Sequence, residues 1–512
     1  MSGRPTMKPT QLIALLATFG IVACASSPPK PSTGVAEPVS ADRTAELAAE
    51  QQRLHLVMAS HGNDFGQQLA AVQELITATA FRSLSVDDQY EALMRAARVS
   101  LYSKQRELAS GYIARVVGLP GLGFEEQVAA VGIAREMGNW AVAVRCLTSI
   151  ARQWPERLGS VDKTNMELIV NRAYGLPRND RFLLLQALYA AHWTLQWGIE
   201  PSQSWADLTL FLLQQGSLRE AIDVSSHIKE PYTLVAMRAD RRFDAVVVTH
   251  PDQFVIEAAA DREAKLYQSL ADEHPRSLQL QSRVMAALLH EQHYAAMLAA
   301  SDSATQAIRS TNFPERLYDD YAGERASFFY FRSVALNRAG RWDEAVAELI
   351  EASREGDIEQ LVNLGSLYCA LGRPKEALSV IGPVGRTRTG PYGAMHVEAV
   401  RLKAAVELGD HDLETRSLQY LSEHRADAPD AYTNSLVVAK QLDQAVLYLI
   451  AQLKDEDRRG DVLLGAQHYL ATPGPDIQLD FERQWRSVNA RKEVQAAIVK
   501  VGRVESYHLE PP

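Results

Sequence analysis

Two stretches of this chain answer one another at a spacing of 32 residues. Gly340-Arg341-Trp342-Asp343-Glu344-Ala345 is matched by Gly372-Arg373-Pro374-Lys375-Glu376-Ala377. Each hexapeptide separates two runs in which apolar residues recur every three or four positions, the period of a helix face. A glycine just past a helix takes the left-handed conformation that closes it at little steric cost. The spacing therefore predicts a helix–turn–helix unit that recurs. One such unit cannot bury its apolar faces alone. It has to stack on copies of itself, so that the core runs on from pair to pair. Composition agrees: 46% of residues are hydrophobic but only 7% aromatic, and Ala and Leu, good helix formers, dominate the apolar set. The expected fold class is all-α, a solenoid of antiparallel helix pairs.

The unit around Gly372 carries Leu361, Leu364, Gly365, Tyr368, Ala377, Ile381 and Val384 at the places where the tetratricopeptide repeat has its bulky, small and aromatic residues. The chain resembles that family. The resemblance implies that Gly365 and Ala377 lie where two helices cross and that Leu361, Leu364, Tyr368 and Ile381 fill the space between pairs. Looser matches occur at 90–120, 124–156, 202–230, 278–300 and 426–453, with weaker ones near Phe243 and Gly409. Residues 42–505 have room for about a dozen pairs of roughly 34 residues, of which seven or eight can be placed. The part from Met395 onward is also similar to uncharacterised proteobacterial repeat proteins, which lend no function. The expected organisation is N-terminal repeats over 42–154, an irregular helical joint over 155–201, the main solenoid over 202–470, and C-terminal helices with an extended tail over 471–512. The sequence leaves open whether that tail folds back or hangs free.

The first 23 residues read as a signal peptide. Arg4 and Lys8 precede a short apolar run, too short to span a bilayer. Ile21-Val22-Ala23-Cys24 resembles the lipobox of bacterial lipoproteins. That resemblance implies cleavage before Cys24 and acyl chains on its thiol and amine, an anchor made stable by several chains together. Ala25 stands where an aspartate would hold such a protein at the inner membrane, so the expected location is the outer membrane, facing the periplasm. Residues 24–41, rich in Pro and Ser, read as a tether.

A formal charge of −10 argues against nucleic acid, whose phosphates need clustered Lys and Arg. Apart from Cys24, the chain has only Cys146 and Cys369, too far apart in a solenoid for a bridge; Cys369 reads as an inert thiol on a helix. His290 and His293 are three apart, one residue short of the zinc-peptidase spacing and without a third ligand. The run Gly118–Gly123 follows a helix rather than a strand, so it reads as a loop between repeats and not as a phosphate cradle. Arg238, Arg241 and Arg242 read as a solvated face paired with Asp240 and Asp244. No Walker sequence and no nucleophile elbow occurs, and the expectation is a protein that is not an enzyme, with no cofactor, no metal and no small-molecule substrate.

In the family it resembles, the first helix of each pair lines a concave groove. By register the groove positions here are Ser327, Tyr330, Val334, Asn337 and Arg338 in one unit, and Glu359, Val362, Ser366, Cys369 and Ala370 in the next. Tyr330, Val334 and Val362 do not fit the family's carboxylate clamp; they suit a helix or an extended segment of another protein. The resemblance implies an adaptor for other envelope proteins, in envelope assembly or in recruiting an envelope enzyme. The alternative is a fixed structural subunit of a pilus, secretion or polysaccharide-export complex.

Overall fold

A computed structural model describes residues 65–354, 356–385 and 389–512, with a few positions between 45 and 56. The signal peptide, Cys24 and the tether lie outside the described residues. The chain divides into two compact units at residues 199 and 200, and the described residues of both are helical, with two isolated β-bridges and no strand. No described helix is long and apolar enough to cross a membrane.

The first unit holds α1 (Phe65–Thr77), the pair α2 (Val86–Tyr102) and α3 (Arg106–Val117), the pair α4 (Phe124–Met137) and α5 (Trp140–Gln153), and then α6 (Lys163–Ala173) and α7 (Arg178–Ala190). Residues 155–201, expected as an irregular joint, contain this last pair of helices, both packed on α5. Irregularity is confined to the connections: a 3-10 turn at Pro155–Ser160, and Trp197 with a positive φ of 56°.

The second unit starts with α8 (Ser202–Gln214) and α9 (Leu218–Ser225), followed by α10 (Pro231–Ala239), a short α11 (Asp244–Thr249) and α12 (Ile256–Glu273). Four regular pairs follow. They are α13 (Leu278–His290) with α14 (Tyr294–Arg309), α15 (Tyr321–Arg338) with α16 (Trp342–Ala352), α17 (Ile358–Ala370) with α18 (Pro374–Ile381), and α19 (Gly390–Leu408) with α20 (His411–Glu423). A fifth pair, α21 (Pro429–Val438) and α22 (Leu442–Lys454), leads to α23 (Arg459–Gly465), α24 (Asp476–Asn489) and α25 (Lys492–Val501).

One turn recurs between the helices of a pair. Its central residue has φ between 57° and 80° at Lys104, Gly138, Gly216, Gln292, Gly340, Gly372, Gly409 and Lys440. At each, the next residue donates its N–H to a carbonyl five positions back, as Arg341 does to Leu336 at 2.9 Å and Arg373 to Tyr368 at 2.8 Å. This is the six-to-one bond of the Schellman motif, which satisfies carbonyls that a helix end leaves open. Five positions after most of these central residues stands a buried small side chain: Ala109, Ala143, Ala221, Ala345, Ala377 and Ala445, with Met297 as a larger variant. Here the paired helices cross. Ser333 donates its hydroxyl to the Ala345 carbonyl at 2.7 Å. A Cβ placed on Gly365 would meet Val400 Cγ1 at 3.0 Å and Ile381 Cγ2 at 3.1 Å.

The interior of α13–α17 is built on Phe328, Phe329, Leu336, Leu349 and Leu364, and a buried carboxylate lies beside them. Glu348, 3% exposed, accepts from Arg309 at 2.7 Å and from Arg332 at 3.0 Å. Arg332 also reaches Asp302 at 2.8 Å and Ser301 at 2.7 Å. A carboxylate taken out of water needs such partners.

The end of the second unit returns to its beginning. Helix α23 packs on α10, Gln214 Nε2 donates to Glu456 Oε2 at 3.2 Å, and Arg242 Nη1 donates to the Glu456 carbonyl at 2.9 Å. Ala239 accordingly shares a core with Leu436, Leu449, Leu463, Val488 and Ile498.

Candidate binding groove

The segment from Gly502 to Glu510 does not hang free. It runs extended past α10 and the ends of α13, α14 and α15, and each of its polar groups named below has a partner. Arg503 N donates to Ala239 O at 2.9 Å, and its guanidinium pairs with Asp244. Glu505 pairs with Arg238, which in turn donates to Phe254 O at 3.1 Å. The expected solvated face of Arg238 and Asp244 is thus taken up by this segment, while Arg242 does pair with Asp240, at 2.6 Å. Residues 467–470 lie alongside: Gln467 Nε2 donates to Arg503 O at 3.0 Å, His468 N to Glu505 O at 2.9 Å, Tyr507 N to His468 O at 2.8 Å, and Leu470 N to Leu509 O at 3.0 Å. At Gly502 the segment passes so close to α10 that a Cβ would stand 2.5 Å from the Ala239 carbonyl. Only glycine fits there, because of the approach and not the backbone angles.

Glu510 is the most completely held residue of the segment, at 3% exposure. Arg338 Nε donates to its Oε1 at 2.9 Å, and Nη2 lies 2.8 Å from the same oxygen. Tyr294 donates its hydroxyl to Oε2 at 2.6 Å. The main chain is held as well: Glu510 N donates to His290 O at 2.8 Å, and Glu510 O accepts from Tyr232 at 2.6 Å. Leu509, the preceding residue, is fully buried, and Tyr507 nearly so, while Ser506 and His508 are exposed. This two-residue alternation is what an extended chain shows when one face is covered.

Beside it lies a group of half-buried polar side chains. Glu230 caps α10, accepting from Tyr232 N at 3.0 Å and from Thr233 N and Oγ1 at 2.6 Å. Burial and the neighbouring Glu263 charge raise its carboxyl above the usual range, against the pull of the Thr233 bonds and His290. Glu263 Oε2 stands 3.0 Å from His290 Nδ1. Burial alone would lower that imidazole; Glu263, with the charges of Glu230 and Glu291, outweighs it and holds the ring above the ordinary histidine value. The His290 ring meets Tyr232 edge-on at 4.7 Å, and burial raises the Tyr232 phenol. Neutral Tyr232 is therefore kept as the donor to Glu510.

The residues expected to line the groove occupy two helices. Of those on α15, Arg338 is bound to Glu510 and to the Pro473 carbonyl at 3.3 Å. Tyr330 is half-buried, 5.3 Å from the Phe331 ring and packed against the core. Burial raises its phenol. Ser327, Val334 and Asn337 are half-buried, and Asn337 Oδ1 is buried with no hydrogen-bond partner. On α17, Glu359 is exposed, Ser366 and Ala370 are half-buried, and Val362 lies partly buried against Cys369, Ala377 and Ile381. Cys369 itself is buried rather than facing a groove; burial pushes its thiol up to about 12, as it does that of Cys146. Neither thiol is a nucleophile at neutral pH. His290 and His293 do not converge: His290 turns onto Glu263, and His293 lies 3.6 Å from Glu291. Among the described residues no group of three or more His, Cys, Asp or Glu side chains is arranged to hold a metal.

Arg338 was assignable to a groove position from the sequence by register. What it holds was not, nor were Tyr232 and Tyr294. The one sequence signal for the segment is the alternation of Tyr507 and Leu509 with polar residues.

No family model and no curated protein matches this chain. Among solved structures it is similar to a chain of the APC/C hetero-tetramer Cut9-Hcn1, at 12% identity over 90% of this chain and 98% of that one, with a TM-score of 0.25. It is also similar to the TPR domain of P58(IPK), at 11% identity over 88% and 100%, with a TM-score of 0.16. Likeness at this level carries no argument about function, and the fold stands on the repeated turn and crossing geometry of the chain itself.

Proposed function

We propose that this chain is a lipid-anchored, non-catalytic scaffold at the periplasmic face of the outer membrane, which holds extended segments of other envelope proteins, in envelope assembly or in recruiting an envelope enzyme. One observation carries the reading. Helix α10 and the ends of α13, α14 and α15 seat an extended segment through its main chain, a buried leucine and a carboxylate, the means by which a scaffold reads a peptide. The signal-like start and the lipobox at Ile21–Cys24 support the anchor. The test has two arms. A photo-crosslinker at Val362 in living cells captures an envelope protein at a defined site in its sequence, and labelled palmitate marks the wild type but not Cys24→Ala. No crosslinked product overturns the scaffold, and equal labelling of both chains overturns the anchor. Turnover of peptidoglycan, peptides or esters by the purified protein would contradict the non-catalytic reading.

A further inference from the structure

We propose that Gly502–Glu510 is a resident intramolecular ligand, and that its seat exchanges it for an extended partner segment with an aromatic residue, an aliphatic residue two positions on, and a carboxylate directly after. This rests on the scaffold reading and names the partner's chemistry. The pattern is the one the chain itself presents to the seat: Tyr507, Leu509 and Glu510 are buried, whereas Ser506 and His508 face out. Specificity comes from Glu510. Its two oxygens are divided between Arg338 and Tyr294, and its main-chain groups between His290 and Tyr232. A glutamine there would turn an amide toward the guanidinium or the phenol, leaving a buried charge or donor unmatched.

Two observations favour exchange over a purely structural role. The return of the unit on itself has its own contacts, through α23 on α10 and through Glu456 with Gln214 and Arg242, none of which involves 502–510. The seat also reads main chain at both ends of the segment, at Ala239 and at His290, a mode open to any extended chain with the right side chains.

The test uses the full chain and a labelled peptide of residues 501–512. The expected result is weak binding to the wild type, whose seat is filled, and binding tighter by at least about tenfold to Glu510→Lys or to the milder Leu509→Ala, in which the resident segment is weakened. The same peptide carrying Glu510→Gln binds those chains on the order of tenfold less tightly, about 1.4 kcal/mol. Equal binding to wild type and variants, or no binding to a variant whose circular dichroism is unchanged, overturns the proposal. So does unfolding of both variants, since the segment would then be inseparable from the fold. Concentration-dependent dimers of the wild type, lost in Glu510→Lys, would replace the partner with a second copy. Val362 crosslinks to an envelope protein without peptide binding would keep the scaffold and remove only this inference.

Discussion

Residues 278–381 and residues 466–510 reach their structures by opposite routes. In the first region each helix meets the next within a few tens of residues, and the same turn recurs from pair to pair, with a small residue at the crossing in two of the three. In the second, outside helices α24 and α25 and the bonds between residues 467–470 and 503–509, the contacts are long-range. Glu510 is held by Tyr232, His290, Tyr294 and Arg338, and Arg503 and Glu505 by Asp244 and Arg238. A repeat writes its contacts into the sequence as a period, whereas a returning segment writes many of them as a fit to surfaces 172 residues or more away. The difference implies distinct failure modes. Damage in the repeats lowers the stability of the unit, and damage in the segment frees the segment first.

The greatest loss is expected in the repeats. Glu348→Ala leaves Arg332 buried with Asp302, Ser301 and the Leu298 carbonyl as its partners, and breaking a buried pair costs about 3 kcal/mol or more. The loss should appear as a lower melting temperature for the whole second unit. A melt that shifts by less than the scatter between preparations would show that Asp302 suffices. Gly365→Leu comes next, at about 1–3 kcal/mol from overpacking, because the added side chain starts at 3.0–3.1 Å from Val400 and Ile381. Denaturant titration would read it, and an unchanged midpoint would refute the crossing assignment.

Gly502→Ala probes the same contrast from the other side. A methyl there meets a backbone carbonyl at 2.5 Å and Leu463 at 2.6 Å, so the expected outcome is release of 502–510, seen as protease sensitivity near Tyr507, with helical content kept. Loss of helix together with the segment would mean that the two regions are not separable. The last change is a modest gain. Lys440 is exposed and holds φ at 58°, where a side chain costs roughly 1 kcal/mol relative to glycine. Lys440→Gly should stabilise the unit by up to about that amount in the same titration, and a midpoint that falls would show that the lysine side chain is held there by contacts of its own.

These residues also explain what the sequence disclosed. Five turns marked by Gly138, Gly216, Gly340, Gly372 and Gly409 were visible as glycines, but the same turn at Lys104, Gln292 and Lys440 carried no such mark. There the Schellman bonds and the packing of the flanking helices hold a conformation the residue itself disfavours. Arg338 was assignable by register because it sits at a fixed place in its repeat. Glu510, Tyr294 and Tyr232 were not, since their meeting depends on the whole unit returning on itself. Residues 155–201 read as irregular because their helices lack the glycine turn, although they pack as a pair.

Whether Arg338 and Glu510 hold the segment together in solution decides between these routes. Hydrogen exchange at the amides of Tyr507 and Glu510, bonded to His468 and His290, measures the free energy of opening the segment in the wild type, Arg338→Ala, Glu510→Ala and the double variant. The prediction is that each single change lowers it by about 1.5–3 kcal/mol, as for a hydrogen bond to a charged group, and that the double variant loses little more than either, a coupling of about 1 kcal/mol or greater. Single effects that add to within about 0.5 kcal/mol, with both amides as protected as those of α13, would contradict it.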